Sequence, residues 1–225
     1  MTRAVHRALD LLETVRDASE PVSLTELANA AGIDKATAKR IAADLVKRHY
    51  LEYLTGVKRY TLGFSALKLG SRSLGPDSSA QKTMRYLEDL RDKTLQTVAL
   101  CARSGQHYVV TLELLSLEPI KFSRGVGATF ALVEDAPGAA ILAFDNIGNG
   151  GSFRFSPDEA DAGYAYSCSN TLPRVASVAA PILRSGQMPS AVCLSWVLDR
   201  SDNDDMVRRR YGAQVVACAQ RLAHI

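Results

Sequence analysis

Apolar residues follow a helical spacing in the first third of the chain and form strand-like runs later on. Within residues 4–16 they recur every three or four positions, which predicts an amphipathic helix with one buried stripe. The stripe consists of Val5, Ala8, Leu9, Leu12 and Val15. A second helix opens at Ser23, which forms a capping-box pattern with Glu26, and Gly32 supplies the turn that ends it.

The third predicted helix runs from Asp34, an expected N-cap, to Tyr50. Its apolar side, which is expected to face the core, consists of Ala38, Ile41, Ala42, Leu45 and Val46. Because recognition helices contact bases mainly through their amino-terminal part, we expect the opposite, basic side to enter the major groove of DNA. The candidates for the groove floor are Ala36, Lys39, Arg40 and Ala43, with Lys35 and Thr37 near the phosphates and Lys47 further along the same side.

Two short β-type runs around Gly56 predict a hairpin after the three helices, and the whole unit is then a winged helix. Lys58 and Arg59 follow the turn, where they are expected to reach a backbone phosphate or the minor groove. A basic helix face often does no more than solubilise a protein, and helix-turn-helix units also occur in protein-interaction modules. The capping box, the glycine turn, the basic outer face and the basic wing together favour DNA binding.

Positive charge is concentrated where the DNA-binding unit is predicted. Residues 1–75 contain 12 Lys and Arg against 8 Asp and Glu, whereas residues 76–225 contain 15 against 16. Only the first third is therefore suited to a polyanion. No apolar run reaches the roughly 18 residues that span a bilayer, and the first residues lack the apolar segment of a secretory signal. A cytoplasmic protein without a membrane partner is expected.

Cysteine and histidine spacing does not support metal, redox or catalytic chemistry. The four cysteines are far apart and include no C-x-x-C pair, which favours free thiols in a reducing compartment. The four histidines are equally scattered, so neither a metal site nor another cofactor is predicted. No G-x-S-x-G or H-E-x-x-H motif appears, and we predict no catalytic residues.

The remaining chain predicts a linker and a second domain of mixed α and β structure. Helical patterns over residues 64–74 and 81–94 are separated by the break Gly75-Pro76-Asp77. Strands are predicted at 98–102, 107–113, 120–123, 175–183 and 191–197, and helices at 135–144, capped by Asp135, and at 206–224. The fold class is thus α+β, divided into a winged helix-turn-helix over 1–63, a linker helix over 64–80 and a sensor domain over 81–225.

Several short segments, taken together, resemble the isocitrate lyase regulator (IclR) family of bacterial transcription factors nearly end to end. The matching segments are Arg7-Ala-Leu-Asp-Leu-Leu12, Leu24-Thr-Glu-Leu-Ala28, Lys35-Ala-Thr-Ala-Lys-Arg40, Arg59-Tyr-Thr-Leu-Gly63, Gly127 followed by Gly138-Ala-Ala-Ile-Leu-Ala143, Gly163-Tyr-Ala165 and Val178-Ala-Ala-Pro181. The resemblance implies a GAF-like effector-binding domain. It also implies a homodimer or a dimer of dimers on an operator in double-stranded DNA.

In the family a small molecule, often an organic acid or an aromatic compound, occupies a pocket of the second domain. The resemblance assigns the walls of that pocket here to Ala136, Pro137, Tyr166, Ser177, Cys193 and Ser195. Cys193 and Ser195 are two apart on one predicted strand and so share a face. Each of these residues is also compatible with an ordinary core position.

The effector domain departs from the family pattern at three places. Only 19 residues separate Ala143 from Gly163, where the family has several dozen, so a shortened domain that lacks one pocket wall is expected. Ala139 and Ser177 stand where the family commonly has a lysine and a cysteine. At the DNA end, Ala36 replaces a frequent hydroxyl residue, which removes one possible phosphate hydrogen bond.

Three hypotheses therefore stay open. The first is a DNA-binding regulator whose operator binding is modulated by a small metabolite. The second is a regulator whose degenerate sensor domain no longer binds a ligand. The third belongs to a different class, an enzyme or a ligand-sensing module that uses its amino-terminal unit only to dimerise.

Overall fold

A computed structural model describes residues 3–73, 77–133, 135–147, 162–169, 174–184, 186–198 and 204–225. The chain forms two compact units, Met1–Pro76 and Asp77–Ile225. In the described ranges, no helix is both long enough and apolar enough to cross a membrane. The predicted break at Gly75-Pro76 and most of the shortened segment between Ala143 and Gly163 lie outside these ranges.

The first unit is a winged helix-turn-helix, as predicted. Its helices are α1 (Arg3–Asp17), α2 (Leu24–Ala30), α3 (Lys35–Lys47) and α4 (Phe64–Ser73), and its strands are β1 (Val22–Ser23), β2 (Leu51–Leu54) and β3 (Arg59–Leu62). The strands form an antiparallel sheet in the order β1-β3-β2, and β2 and β3 form the hairpin. Its core is formed by Leu11, Val15, Val22, Leu27, Ala42, Leu45, Leu51 and Tyr60.

The predicted buried stripe of α1 is wrong in part. Val15 is buried, but Val5 and Leu9 are 57% and 51% exposed, and the most buried residue of the helix is Leu11, at 0%. Two positions along a helix correspond to about 200° of rotation, so Leu9 points nearly opposite to Leu11. Because α1 packs against α2 and α3 through Leu11, the side that carries Leu9 is left in solvent.

The second unit contains a six-stranded antiparallel sheet in the order β6-β5-β4-β9-β8-β7. The strands are β4 (Thr97–Ser104), β5 (His107–Leu114), β6 (Thr129–Ala131), β7 (Ala165–Cys168), β8 (Val175–Ile182) and β9 (Ser190–Val197). The helices are α5 (Asp77–Thr94), α6 (Ala136–Ile147) and a last helix, α7 (Asp204–Ala223). Apolar side chains of α5 and α7 cover one face of the sheet, and α6 packs over the other.

The strand predicted at residues 120–123 is not formed, and β6 is the edge strand instead. Hydrogen bonds from side chains, rather than a neighbouring strand, hold this segment and the two residues that follow it. The Glu113 carboxylate accepts the backbone N–H groups of Arg124 at 2.7 Å and Gly125 at 3.2 Å, and the Thr97 hydroxyl donates to the carbonyl of Phe122 at 2.7 Å. The segment is therefore a loop fixed over the sheet face that α6 covers.

Candidate DNA-binding surface and effector site

The capping predictions for α2 and α3 are confirmed. Ser23 and Glu26 form both hydrogen bonds of a capping box. At the start of α3, the Asp34 carboxylate accepts the Thr37 backbone N–H at 2.8 Å and the Thr37 hydroxyl at 2.7 Å. These hydrogen bonds, the backbone one first, hold the pKa of Asp34 below its ordinary value of 3.8, so the cap is ionised at neutral pH. Gly32 makes the turn between the helices with φ +60°.

The outer side of α3 lies free of the core over its whole length. Ala38 and Ala42 are completely buried on the inner side. Of the residues of α3 predicted to contact DNA, Thr37 is half-buried and the other six are exposed, namely Lys35, Ala36, Lys39, Arg40, Ala43 and Lys47. The alanines keep the surface between the basic side chains low, so a duplex can approach the helix closely. The described contacts are therefore compatible with insertion of α3 into a major groove.

Two of the predicted DNA contacts are already engaged within the unit. The hydroxyl proton of Thr37 is donated to Asp34, so the side chain is not free to donate to a phosphate while the cap is formed. The Nη1 of Arg59 donates to the carbonyl of Pro21 at 2.7 Å and to the carboxylate of Glu26 at 3.4 Å. Lys58, in contrast, is exposed in the hairpin turn with φ 54°.

A row of hydroxyl side chains crosses the sheet of the second unit on the face that α6 covers. Strand register pairs Ser167 with Ser177, Ser177 with Ser195, and Ser195 with Thr97. Residues directly opposite in neighbouring strands share a face, so these four hydroxyls follow one line across β7, β8, β9 and β4. The Ser177 and Ser195 oxygens are 2.9 Å apart, and the Cys193 sulfur is 3.6 Å from the Ser195 oxygen.

Arg124 connects this row to the start of α6. Its Nη2 donates to the Ser177 hydroxyl at 3.1 Å, and its Nη1 donates to Asp135 at 2.6 Å and to the Tyr108 oxygen at 2.9 Å. The Tyr108 hydroxyl donates to the same Asp135 oxygen at 2.6 Å. The rings of Phe122 and Phe130 lie 5.6 and 5.5 Å from the guanidinium carbon. Only 7% of the Arg124 side chain is exposed.

Burial keeps the other titratable groups of this cluster in their neutral forms. Burial raises the pKa of Cys193 above its ordinary value of 9.0, although the Arg124 guanidinium opposes the shift. Burial likewise raises the pKa of Cys101 and of Tyr108. At neutral pH the cluster therefore presents thiol and hydroxyl groups around one ion pair, Arg124 with Asp135.

The structure brings five of the six predicted effector residues to this region and places the sixth elsewhere. Ala136 and Pro137 are buried at the start of α6, where the Ala136 N–H donates to the Ser167 hydroxyl at 3.0 Å. Ser177, Cys193 and Ser195 lie on the sheet below. Tyr166 lies on the opposite face, where it pairs with Val178 and packs near Trp196, with Arg208 over its ring. Successive strand residues alternate faces, so Ser167 takes the expected position.

The sequence did not reveal Arg124 or Tyr108 as members of this site, and it presented Asp135 only as a helix cap. Asp135 does accept the Gly138 N–H at 3.3 Å, which confirms the cap. Gly138 itself is required because a Cβ there would collide with the carbonyl of Leu132. No spacing signal links residues 108, 124 and 135, since they meet only through the sheet and the loop that crosses it.

The first unit, with its exposed basic α3 and its hairpin, defines a winged helix-turn-helix DNA-binding protein. Residues 4–55 match the family model for the IclR helix-turn-helix domain. The chain is 22% identical over 241 residues to the glycerol operon regulatory protein of Streptomyces coelicolor, covering 98% of this chain and 95% of that protein. With the transcriptional repressor IclR of Escherichia coli it shares 22% identity, over 63% of this chain and 52% of the repressor.

Solved structures show the same fold. An IclR transcriptional regulator from Alicyclobacillus acidocaldarius matches with a TM-score of 0.79 and 19% identity, covering 100% of this chain and 98% of that one. An IclR homologue from Microbacterium hydrocarbonoxydans, complexed with 4-hydroxybenzoate, matches with a TM-score of 0.73 and 15% identity, covering 96% and 99%. Residues 4–55 thus match the IclR helix-turn-helix family, and the whole chain is similar in sequence and fold to IclR-type transcriptional regulators.

Proposed function

We propose that the chain controls transcription as a homodimer that reads an operator through α3, and that a small molecule in the second unit changes this binding. The observation that carries the DNA part is the exposed basic side of α3, whose opposite side is completely buried at Ala38 and Ala42. Lys39 and Arg40 are the proposed base contacts, because they lie in the amino-terminal half of the helix. Lys58 is the proposed phosphate contact of the wing.

Arg59 and Thr37 have a supporting role in this proposal. Arg59 ties the hairpin to the loop before β1 and to α2 through Pro21 and Glu26. Thr37 completes the cap that fixes the first turn of α3. Both contacts reduce the freedom of the elements that meet DNA, and preorganisation of this kind lowers the entropic cost of binding.

The proposal of a homodimer rests on the apolar surface of the first unit and on the symmetry of operators. Val5, Leu9, Phe64, Leu67 and Leu69 are each more than half exposed on α1 and α4. Exposed apolar residues in such number favour a protein contact over a solvated surface. Two copies related by a twofold axis would place two α3 helices on a near-palindromic site.

The proposed effector site is the region between α6 and the row of Ser167, Ser177, Ser195 and Thr97. Support comes from a buried cluster of hydrogen-bonding groups against small side chains, an arrangement that ligand sites use to fix orientation. The homologue from Microbacterium hydrocarbonoxydans is complexed with 4-hydroxybenzoate. Effector binding requires that the ligand prefer one arrangement of the dimer, because a ligand with equal affinity for both shifts nothing.

We assign the protein to the cytoplasm, where chromosomal DNA is available, and we assign it no reaction. The curated relatives are regulators of transcription, and the polar groups described above hydrogen-bond to one another as a structural cluster. The second candidate function is a DNA-binding regulator whose sensor domain no longer binds an effector. The shortened segment before Gly163 favours that alternative.

The proposed DNA binding is tested in two steps. Sites bound by the protein are first mapped across the genome. Purified protein is then titrated against one mapped site and one unrelated duplex of equal length. Arg40→Ala should lose most of the preference for the mapped site, whereas Lys58→Ala should weaken both duplexes by a similar factor. Equal affinity of the wild type for both duplexes would contradict operator reading. The effector part is tested by thermal unfolding against a metabolite panel, since a ligand of the folded state raises the midpoint.

A further inference from the structure

Arg124 is buried together with its own counter-ion. The Nη1 atom lies 2.6 Å from Asp135 Oδ2, and the two side chains are 7% and 17% exposed. The described hydrogen bonds of the Glu113 carboxylate go to the Ser123 hydroxyl and to the backbone N–H groups of Arg124 and Gly125, and not to the guanidinium. The Arg124–Asp135 pair is therefore electrically neutral as it stands.

One donor of this cluster has no acceptor. The Cys193 thiol lies near enough to interact with the Arg124 guanidinium, but no group in the described part of the chain meets hydrogen-bond geometry at the buried Nε–H of Arg124. A buried donor without an acceptor costs free energy comparable to a lost hydrogen bond, and such groups are rare in folded proteins. The donor therefore identifies a position where an acceptor atom of a bound molecule would be stabilised.

The charge balance decides which acceptor fits. A carboxylate at the Nε–H would leave two anions beside one buried cation, and an uncompensated buried charge is strongly unfavourable. The alternative is for the carboxylate to displace Asp135, but Asp135 also accepts from Tyr108 at 2.6 Å and caps α6 through Gly138. An uncharged oxygen satisfies the donor without either cost.

We infer that the effector site of this chain takes an uncharged compound whose carbonyl or hydroxyl oxygen accepts from Arg124 Nε. The Ser177 and Ser195 hydroxyls, 2.9 Å apart, supply further donors or acceptors beside it. The Phe122 and Phe130 rings that flank the guanidinium suit a planar or aromatic body. This inference rests on the proposed effector function. Of the compounds expected from the sequence, it excludes organic acids, which are anions at neutral pH, and retains uncharged aromatic compounds.

The test compares matched probes of different charge on the full chain. Benzamide and benzoate have nearly the same shape, as do acetamide and acetate, but only the second member of each pair is an anion at neutral pH. Binding is followed by the unfolding midpoint of Trp196 fluorescence, since Trp196 is the single tryptophan and lies buried in the second unit. The wild type should bind benzamide at least tenfold more tightly than benzoate.

Asp135→Asn removes the negative charge beside Arg124 and should reverse the preference of the site for benzamide over benzoate. The asparagine keeps an oxygen for the cap of α6 but leaves Arg124 without its counter-ion, so benzoate should now bind at least tenfold more tightly than benzamide. Glu88→Gln is the matched control, because it removes one exposed carboxylate of the same unit and should preserve the wild-type preference. If Asp135→Asn does not fold, the comparison in the wild type still decides.

Each other outcome overturns the inference in a distinct way. Tighter binding of benzoate or acetate by the wild type would show that the site accepts anions, while effector binding itself would stand. If none of the four probes shifts the unfolding midpoint of the wild type or of Asp135→Asn, the Nε–H is satisfied by water and does not mark a ligand position. Operator binding, measured separately, does not depend on either result.

Discussion

The Asp34 carboxylate holds Thr37 through two hydrogen bonds, 2.8 Å from the backbone nitrogen and 2.7 Å from the hydroxyl oxygen. The first turn of α3 is thereby fixed at the end of the helix that we propose to meet the bases. The same contact uses the hydroxyl proton that the sequence suggested for a phosphate. Helix capping and DNA contact thus compete for one side chain, and in the free protein the cap is formed.

Asp34→Ala should destabilise the first unit, because it removes both hydrogen bonds at the start of α3. Asp34→Asn should cost less, since an asparagine oxygen still accepts the Thr37 N–H. Urea unfolding followed by far-ultraviolet circular dichroism reports both units, whereas Trp196 fluorescence reports only the second. The alanine variant should shift the dichroism transition and leave the fluorescence transition in place. Identical curves for alanine and wild type would contradict the role of the cap.

Acid should weaken the same unit. The folded-state pKa values of Asp34 and Glu26 lie below their ordinary values of 3.8 and 4.5, in each case through hydrogen bonds to the carboxylate. A lowered pKa contributes stability that is fully present above the ordinary value and is lost as the pH falls through the folded value. Between neutral pH and about 5 these two groups should change nothing, and below the ordinary values they should destabilise the unit. Asp34→Asn should flatten this decline.

Lys58 and Arg59 are neighbours in sequence but should behave differently on substitution. Arg59→Ala should lower the free energy of unfolding of the first unit by about 1 kcal/mol, because it removes hydrogen bonds to Pro21 and Glu26. Lys58→Ala should leave stability unchanged and reduce the salt dependence of DNA binding by about one phosphate contact. Urea unfolding and duplex titrations at several salt concentrations separate the two effects. A loss of stability in Lys58→Ala alone would reverse this assignment.

The Arg124–Asp135 pair should behave as a buried ion pair in a double-mutant cycle. Asp135→Ala leaves Arg124 uncompensated and should destabilise the second unit by about 3 kcal/mol. Adding Arg124→Met to that variant should recover part of the loss, because the methionine needs no counter-ion. The fluorescence transition of Trp196 measures both effects. Additive losses in the double variant would show that the two side chains do not interact.

The sequence predicted the local parts of this fold well. Capping boxes, glycine turns and hairpins depend on residues within a few positions of each other, so Ser23, Asp34 and Gly32 could be assigned from spacing. The exposed side of α3 that we propose to bind DNA followed from the same periodicity. The stripe of α1 was wrong because apolar residues occupy more than one side of that helix, and only packing against α2 and α3 selects Leu11.

The effector site could be predicted only in part. The apolar runs of β8 and β9 are recognisable as strands in the sequence. The shared sheet face of Ser177, Cys193 and Ser195 could therefore be predicted. β7 was not predicted, and without its register the choice between Tyr166 and Ser167 could not be made. Arg124 comes from a loop whose path is set by Glu113 and Thr97, contacts that no local pattern predicts.

Selection from a random-sequence duplex pool tests the central claim most directly, because the protein itself picks out its operator from all possible sites. The wild-type chain should enrich a near-palindromic site, and Lys39→Ala with Arg40→Ala should abolish the enrichment while retaining weak, salt-sensitive affinity. Lys121→Ala, which removes an exposed cation of the second unit, should select the same site as the wild type. An identical site selected by the Lys39 and Arg40 double variant, or no duplex binding by the wild type at low salt, would contradict DNA reading by α3.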